Sequence, residues 1–180
     1  MKRVHIIGGK NHGKTTLVGE LIVEFRSRGL RVGSIKHTHH HHELDTPGKD
    51  SHRHRESGAE VVGILSPSMN AVFWPDEHAA EENTETEENS LLRSEERYAS
   101  FAPLFANCDL VLVEGDTRTA AIKLEVWRAS LDTPALAGQI SDVRALVTDD
   151  PADSHLPILP RSKIDVVADF ILKHCEGPAT

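Results

Sequence analysis

Cysteine is scarce in this chain: Cys108 and Cys175 are the only two among 180 residues. They form no C-x-x-C pair, a pattern that suits a reducing cytosol rather than a disulfide scaffold. No run of 18 apolar residues occurs, which excludes a helical membrane span. Met1-Lys2-Arg3 leads straight into an apolar run, so no signal peptide is expected. A basic excess is missing too. The formal net charge is −8, and residues 76–97 carry nine acidic and two basic side chains, so nearly all of that charge lies in one segment. The balance argues against a general nucleic-acid binder.

What the chain does contain is concentrated at its start. The apolar run Val4-His5-Ile6-Ile7 is followed by Gly8-Gly9-Lys10-Asn11-His12-Gly13-Lys14-Thr15-Thr16. This is G-x-x-x-x-G-K-T between a predicted strand and a predicted helix, the context in which the motif forms a phosphate-binding loop. Glycines let backbone N–H groups curl around phosphate oxygens, and the helix N-terminus adds partial positive charge. Lys14 is expected to reach the β- and γ-phosphates, and the Thr15 hydroxyl to ligate Mg²⁺. A bound nucleoside triphosphate follows.

Periodicity places the other elements. Leu17, Leu21 and Phe25, with Val18 and Ile22 beside them, give a helix over about 14–28 one apolar face, and Gly29 stops it. Leu30–Ile35 reads as a strand with Lys36 and His37 at its carboxyl end. Asp50 or Ser51 is expected to cap a short helix running to about Gly58. Val61–Leu65 and Ala71–Trp74 flank Ser66-Pro67-Ser68 as a hairpin. Residues 76–90 are acidic and without periodicity, a solvated loop insertion. Tyr98, Phe101, Ala102 and Phe105 mark a helix over about 91–106. Leu110–Val113, Ile122–Trp127 and Val143–Val147 read as strands, and Ile164–Leu172 as a closing helix.

Strands alternate with helices and no internal repeat appears. The expectation is an α/β fold: one three-layer P-loop NTPase domain over 1–180, with a mostly parallel sheet and a β-hairpin extension. Ligands in such folds bind at the carboxyl ends of the strands, so that edge should gather Gly8–Thr16, Lys36–Asp50 and Glu114-Gly115.

Two further elements carry chemistry. Asp109-Leu110-Val111-Leu112-Val113-Glu114 is a buried strand ending in an acid, which puts Glu114 near the metal. In Lys36–Arg55, seven of the twelve histidines fall beside four Lys/Arg. This block reads as a cationic face for an anionic ligand, with Lys36, Lys49 and Arg53 as donors. A transition-metal site and a plain solvated loop stay open. Asp45 is, by location, the acid expected to position Mg²⁺ or a water. Asn-Lys-x-Asp, the tetrapeptide that reads guanine, does not occur, so the base stays open. Thr148-Asp149-Asp150 is a candidate base contact.

The P-loop, Ile35-Lys36-His37-Thr38-His39-His40 and Asp45-x-Pro47-Gly48-Lys49-Asp50-Ser51 resemble the molybdopterin-guanine dinucleotide biosynthesis protein B (MobB) family. Val113-Glu114-Gly115, Ile122–Val126 with Arg128, Ser141-Asp142-Val143 and Val147-Thr148-Asp149 follow the family's order. The likeness spans the chain except about 76–90. It departs at His12, where the family often has serine, and at Asp116-Thr117-Arg118.

The resemblance implies a homodimeric GTP-binding adapter with slow Mg²⁺-dependent GTPase activity, and the cysteine pattern a cytoplasmic location. Its partner would be the nucleotidyltransferase that attaches GMP to molybdopterin. By matching position, Gly8–Thr16 with Lys14 and Thr15 would hold phosphate, Thr15 and Glu114 would face Mg²⁺, and Lys36, His37, Gly48, Lys49, Asp50 and Ser51 would line a nucleotide or pterin channel. No Gln or Arg stands out as a group acting on the attacking water, so slow turnover is expected. The alternatives are a nickel-type metallochaperone GTPase, for which a Cys-Pro-His-type ligand set is lacking, and a small-molecule ligase or kinase.

Overall fold

The computed structural model describes residues 1–38, 43–75 and 87–175, with the side chains of Glu87 and Glu88 excepted. The four consecutive histidines 39–42 and most of the acidic stretch 76–90 lie outside the described residues. The chain, read from sequence as one domain, divides into two compact units, residues 1–38 with 90–180, and residues 39–89.

The larger unit holds a six-stranded sheet. Its strands are β1 (Arg3–Ile7), β2 (Val32–Lys36), β5 (Leu110–Glu114), β6 (Lys123–Val126), β7 (Val143–Val147) and β8 (Ile158–Leu159), in the order β2-β5-β1-β6-β7-β8. All five pairings are parallel. A parallel sheet is covered on both faces, which is why β5 is an unbroken apolar run.

Side-chain alternation sends its residues to opposite layers. Val4, Ile6, Leu110 and Leu112 pack with Leu17, Leu21 and Phe25 of α1 (Lys14–Ser27) and Val167, Ala168 and Ile171 of α4 (Ile164–Cys175). Val111 and Val113 face Tyr98 of α3 (Glu87–Phe101) and Phe105 on the other side. The result is the expected three-layer α/β arrangement.

Differences from the sequence reading have local causes. The helix expected to reach residue 106 ends at Phe101 and tightens into a 3₁₀ turn over Ala102–Phe105, with Pro103 in its first turn. Proline supplies no N–H to an α-helical ladder. That helix also begins earlier, so 87–90, read as loop, are helical. The two-residue β8 is too short to show a periodicity.

Gly33 on β2 makes room for a ring: a Cβ there would lie 2.4 and 2.7 Å from Phe105 ring carbons. Gly33→Ala is expected to cost about 1–3 kcal/mol through overpacking. A urea melt reads it as a lower midpoint at unchanged slope.

The smaller unit contains α2 (Asp50–Glu56) and the antiparallel hairpin β3 (Val62–Leu65) and β4 (Asn70–Phe73), as expected. Its turn is closed by Ser66 N–H donating to Met69 O at 3.2 Å and Met69 N–H to Ser66 Oγ at 2.9 Å. The helix is not capped as expected. Lys49 occupies the N-cap without a side-chain bond, because the Ser51 hydroxyl donates to Asp45 Oδ1 at 3.0 Å instead.

Candidate functional site

Between the end of β1 and the start of α1 the backbone turns sharply. Gly8 has φ 141°, Asn11 φ 67° and Gly13 φ 99°. Side-chain-bearing residues rarely adopt such angles, and a Cβ on Gly8 would also stand 2.3 Å from the Val126 carbonyl oxygen. That neighbour is backbone and cannot step aside. Glycine at the first and sixth motif positions is therefore a steric demand, and Gly13 O accepts the Leu17 N–H at 3.0 Å as α1 starts.

Lys14 stretches back along the loop, its Nζ donating to Gly8 O at 2.9 Å and Gly9 O at 2.8 Å. Burial lowers its pKa below the ordinary lysine value, partly opposed by Glu114 and reinforced by Lys36. The Thr15 hydroxyl donates to Glu114 Oε1 at 2.7 Å. In the sheet Glu114 stands level with Ile6 and Lys36. The carboxyl edge thus gathers the loop, Glu114 and Lys36; residues 43–50, expected there too, belong to the smaller unit. An alcohol and a carboxylate side by side are the hard oxygen ligands that Mg²⁺ takes.

His12 is buried. Its Nδ1 accepts the Arg128 backbone N–H at 3.0 Å, which puts the ring proton on Nε2, and Nε2 donates to Thr133 Oγ1 at 2.8 Å. Burial first, then the charges of Lys14 and Arg128, lower its pKa. A Cβ on Gly9 would meet the His12 ring at 2.7 Å. The sequence reading placed His12 among the nucleotide contacts; both its ring nitrogens are bonded to the 128–133 segment.

Behind Glu114 runs a buried polar network. Asp116 Oδ2 accepts from Ser94 Oγ at 2.7 Å and Tyr98 OH at 2.9 Å, and Oδ1 from Arg118 N–H at 2.9 Å. These bonds and nearby His37 hold the Asp116 pKa below the usual aspartate value against burial. His37, expected at the nucleotide, has Nε2 4.0 Å from Asp116 Oδ2. His5 donates through Nδ1 to the Gly115 and Asp116 carbonyls, both at 3.2 Å, and accepts from Arg3 Nε at 3.2 Å. Two charged residues on β6 hold loops. Lys123 Nζ donates to Thr119, Ala121 and Ser141 carbonyls, and Glu125 accepts Leu136 and Ala137 N–H at 2.8 and 2.7 Å.

Asp45, Gly48, Lys49, Asp50, Ser51 and Arg53 belong to the smaller unit. Asp45, expected at the metal, is buried there. Its Oδ1 accepts Thr46 N–H at 2.8 Å and Ser51 Oγ, and Oδ2 lies 3.8 Å from Arg55 Nε. Glu43 takes a 2.6 Å bond from Arg55 Nη2. Lys49 and Arg53 flank and join α2. In the larger unit, Asp149 accepts from Ser162 N–H and Oγ, both at 3.0 Å, and Asp150 from Ala129 N–H at 2.8 Å. Both carboxylates thus bind the protein itself.

Sheet order, glycine turn and the Lys14–Thr15–Glu114 grouping define the P-loop class of α/β proteins. Residues 3–149 match the family model MobB, molybdopterin guanine dinucleotide synthesis protein B. This chain belongs to the MobB family. It is 31% identical to the molybdopterin-guanine dinucleotide biosynthesis adapter protein of Escherichia coli, over 89% of this chain and 86% of that one. It is 32% identical to the protein of the same name from Haemophilus influenzae, over 96% and 90%. Among solved structures, the MobB homolog from Bacillus stearothermophilus superposes with a TM-score of 0.62 at 20% identity, over 97% and 98% of the two chains. Bacillus subtilis MobB gives 0.63 at 23%. These likenesses are in fold.

Proposed function

We propose that this chain is a GTP-binding adapter of molybdopterin-guanine dinucleotide biosynthesis, a homodimer in the cytoplasm that assists the GMP-transferring nucleotidyltransferase. Membership of the MobB family and the names of its relatives support the pathway. The observation that carries the nucleotide is the phosphate loop itself, with Lys14 along its rim and Thr15 2.7 Å from Glu114. No helix among the described residues is long and apolar enough to cross a membrane.

Thr15 and Glu114 would hold Mg²⁺, which neutralises polyphosphate charge when bound. The loop amides and Lys14 orient the phosphates. His12 has both ring nitrogens bonded to the protein, and Glu114 faces Thr15, so neither is placed to draw a proton from water. Hydrolysis is accordingly slow, well below the roughly 1–100 s⁻¹ of efficient phosphotransferases.

Calorimetric titration of GTP and ATP, each with Mg²⁺ and with chelator, tests this. Mg²⁺-dependent binding that prefers GTP is expected. A preference for ATP would favour a ligase or kinase. Binding of neither would remove the nucleotide reading altogether.

A further inference from the structure

Arg128 follows β6, the neighbour of the phosphate-loop strand, and lies in extended backbone at φ −136° before a short 3₁₀ turn, Ala129–Leu131. Its guanidinium flanks the loop. A Cβ on Gly13 would lie 3.0 Å from Arg128 Nη2, 3.5 Å from Cζ and 3.6 Å from Nε. The missing side chain of Gly13 is therefore what lets the fork lie against the loop, one residue before Lys14.

Several arginines of this unit are tied down. Arg28 pairs with Glu24 and Asp169, Arg31 with Asp109, and Arg161 with Glu20. Arg128 is exposed, and among the described residues its guanidinium makes no hydrogen bond or ion pair. Its backbone is fixed from three sides. Arg128 N–H bonds to His12 Nδ1 at 3.0 Å, Trp127 N–H to Val147 O at 3.1 Å, and Ala129 N–H to Asp150 Oδ2 at 2.8 Å. Trp127 Nε1 and His12 Nε2 both reach Thr133. Among the described residues, then, a charged head without a partner stands on an anchored base at the rim of the glycine loop.

We propose that Arg128 is a phosphate-binding residue supplied in cis, with His12 as the positioning residue that fastens it to the loop. This rests on the nucleotide reading above. Guanidinium presents paired donors in a plane and matches two phosphate oxygens at once, which an ammonium does not. It adds a second protein cation beside Lys14 from the strand on the opposite side of β1 to Glu114.

The test is the affinity of the full chain for Mg²⁺–GTP and Mg²⁺–GDP in wild type, Arg128→Ala and Arg128→Lys, at low and high salt. Arg128→Ala is expected to bind about 10- to 100-fold more weakly, the range for a hydrogen-bonded charged contact. It should also lose part of the salt dependence, which a purely structural change would leave in place. Arg128→Lys, keeping charge without the fork, should fall between. Loss for both nucleotides, or for the triphosphate alone, supports the proposal and says which phosphates are touched. Unchanged melting temperatures establish that the fold persists. Should wild type bind GTP and Arg128→Ala bind it equally well, this inference is overturned and the nucleotide reading stands. Should wild type bind no nucleotide, both fall.

Discussion

Lys14→Ala is expected to lower affinity for Mg²⁺–GTP by at least about a hundredfold, the cost of removing a charge-assisted contact to phosphate. Lys14 is half-buried and meets the loop only through carbonyls of Gly8 and Gly9. A phosphate oxygen offers the ammonium a full negative charge in place of two neutral acceptors, so the lysine gains more in the complex than it gives up. Alanine is a strong helix former at the first position of α1, and the loop angles at Gly8 and Gly13 do not depend on the side chain. Stability should therefore hold while binding is lost. Calorimetry beside a thermal melt separates the two. Retained affinity would mean that the loop amides alone seat the nucleotide.

The second large effect concerns acid. His5 is fully buried, and burial, with Arg3 nearby, pushes its pKa from 6.5 down to about 4 against the opposing pull of Asp116 and the two carbonyl bonds. The unfolded chain takes up a proton near the ordinary histidine value while the folded one refuses it. The stabilisation is present above the unfolded pKa and declines as pH falls through this window. It amounts to about 3 kcal/mol, at about 1.4 kcal/mol per pH unit. His12, also lowered, acts in the same direction. Glu125, raised by burial, acts oppositely, and Asp116 and Glu95, both lowered, matter only in more acidic solution.

His5→Asn isolates the effect, because its amide N–H replaces Nδ1–H without titrating. Denaturant unfolding from about pH 7 to about pH 4.5 should show a flatter profile for the variant. Parallel profiles would mean that His5 titrates normally in the folded protein.

The phosphate loop was legible because its chemistry is local: eight residues, with two forced glycines and a lysine at set spacing. Glu114 was legible because a buried parallel strand must end near that loop. Arg128 was not. Its role depends on β6 lying beside β1, a pairing that no short-range pattern encodes, and on space left by Gly13. The ring bonds of His12 were hidden for a related reason. As a loop residue it read as a phosphate contact, and its ring bonds go to residues 128 and 133. Asp45 was read as a metal ligand from its place among polar residues; what the sequence did not reveal is that its Oδ1 accepts from Thr46 and Ser51. Helix ends moved by a few residues where Pro103 overrode an apolar spacing.

The first strand of the chain lies in the middle of the sheet, and every partner it has comes from the second half. Arg3 is level with Val111, and His5 with Lys123. During synthesis β1 and its loop leave the ribosome long before β5 and β6 exist, with no neighbour to pair with. Contacts so distant in sequence make assembly slow, because the loop-closure entropy comes before the reward. The site therefore matures late. A chain halted before Val126 has the whole phosphate-loop motif but lacks Arg128, the carbonyl against Gly8 and the bonds that hold His12.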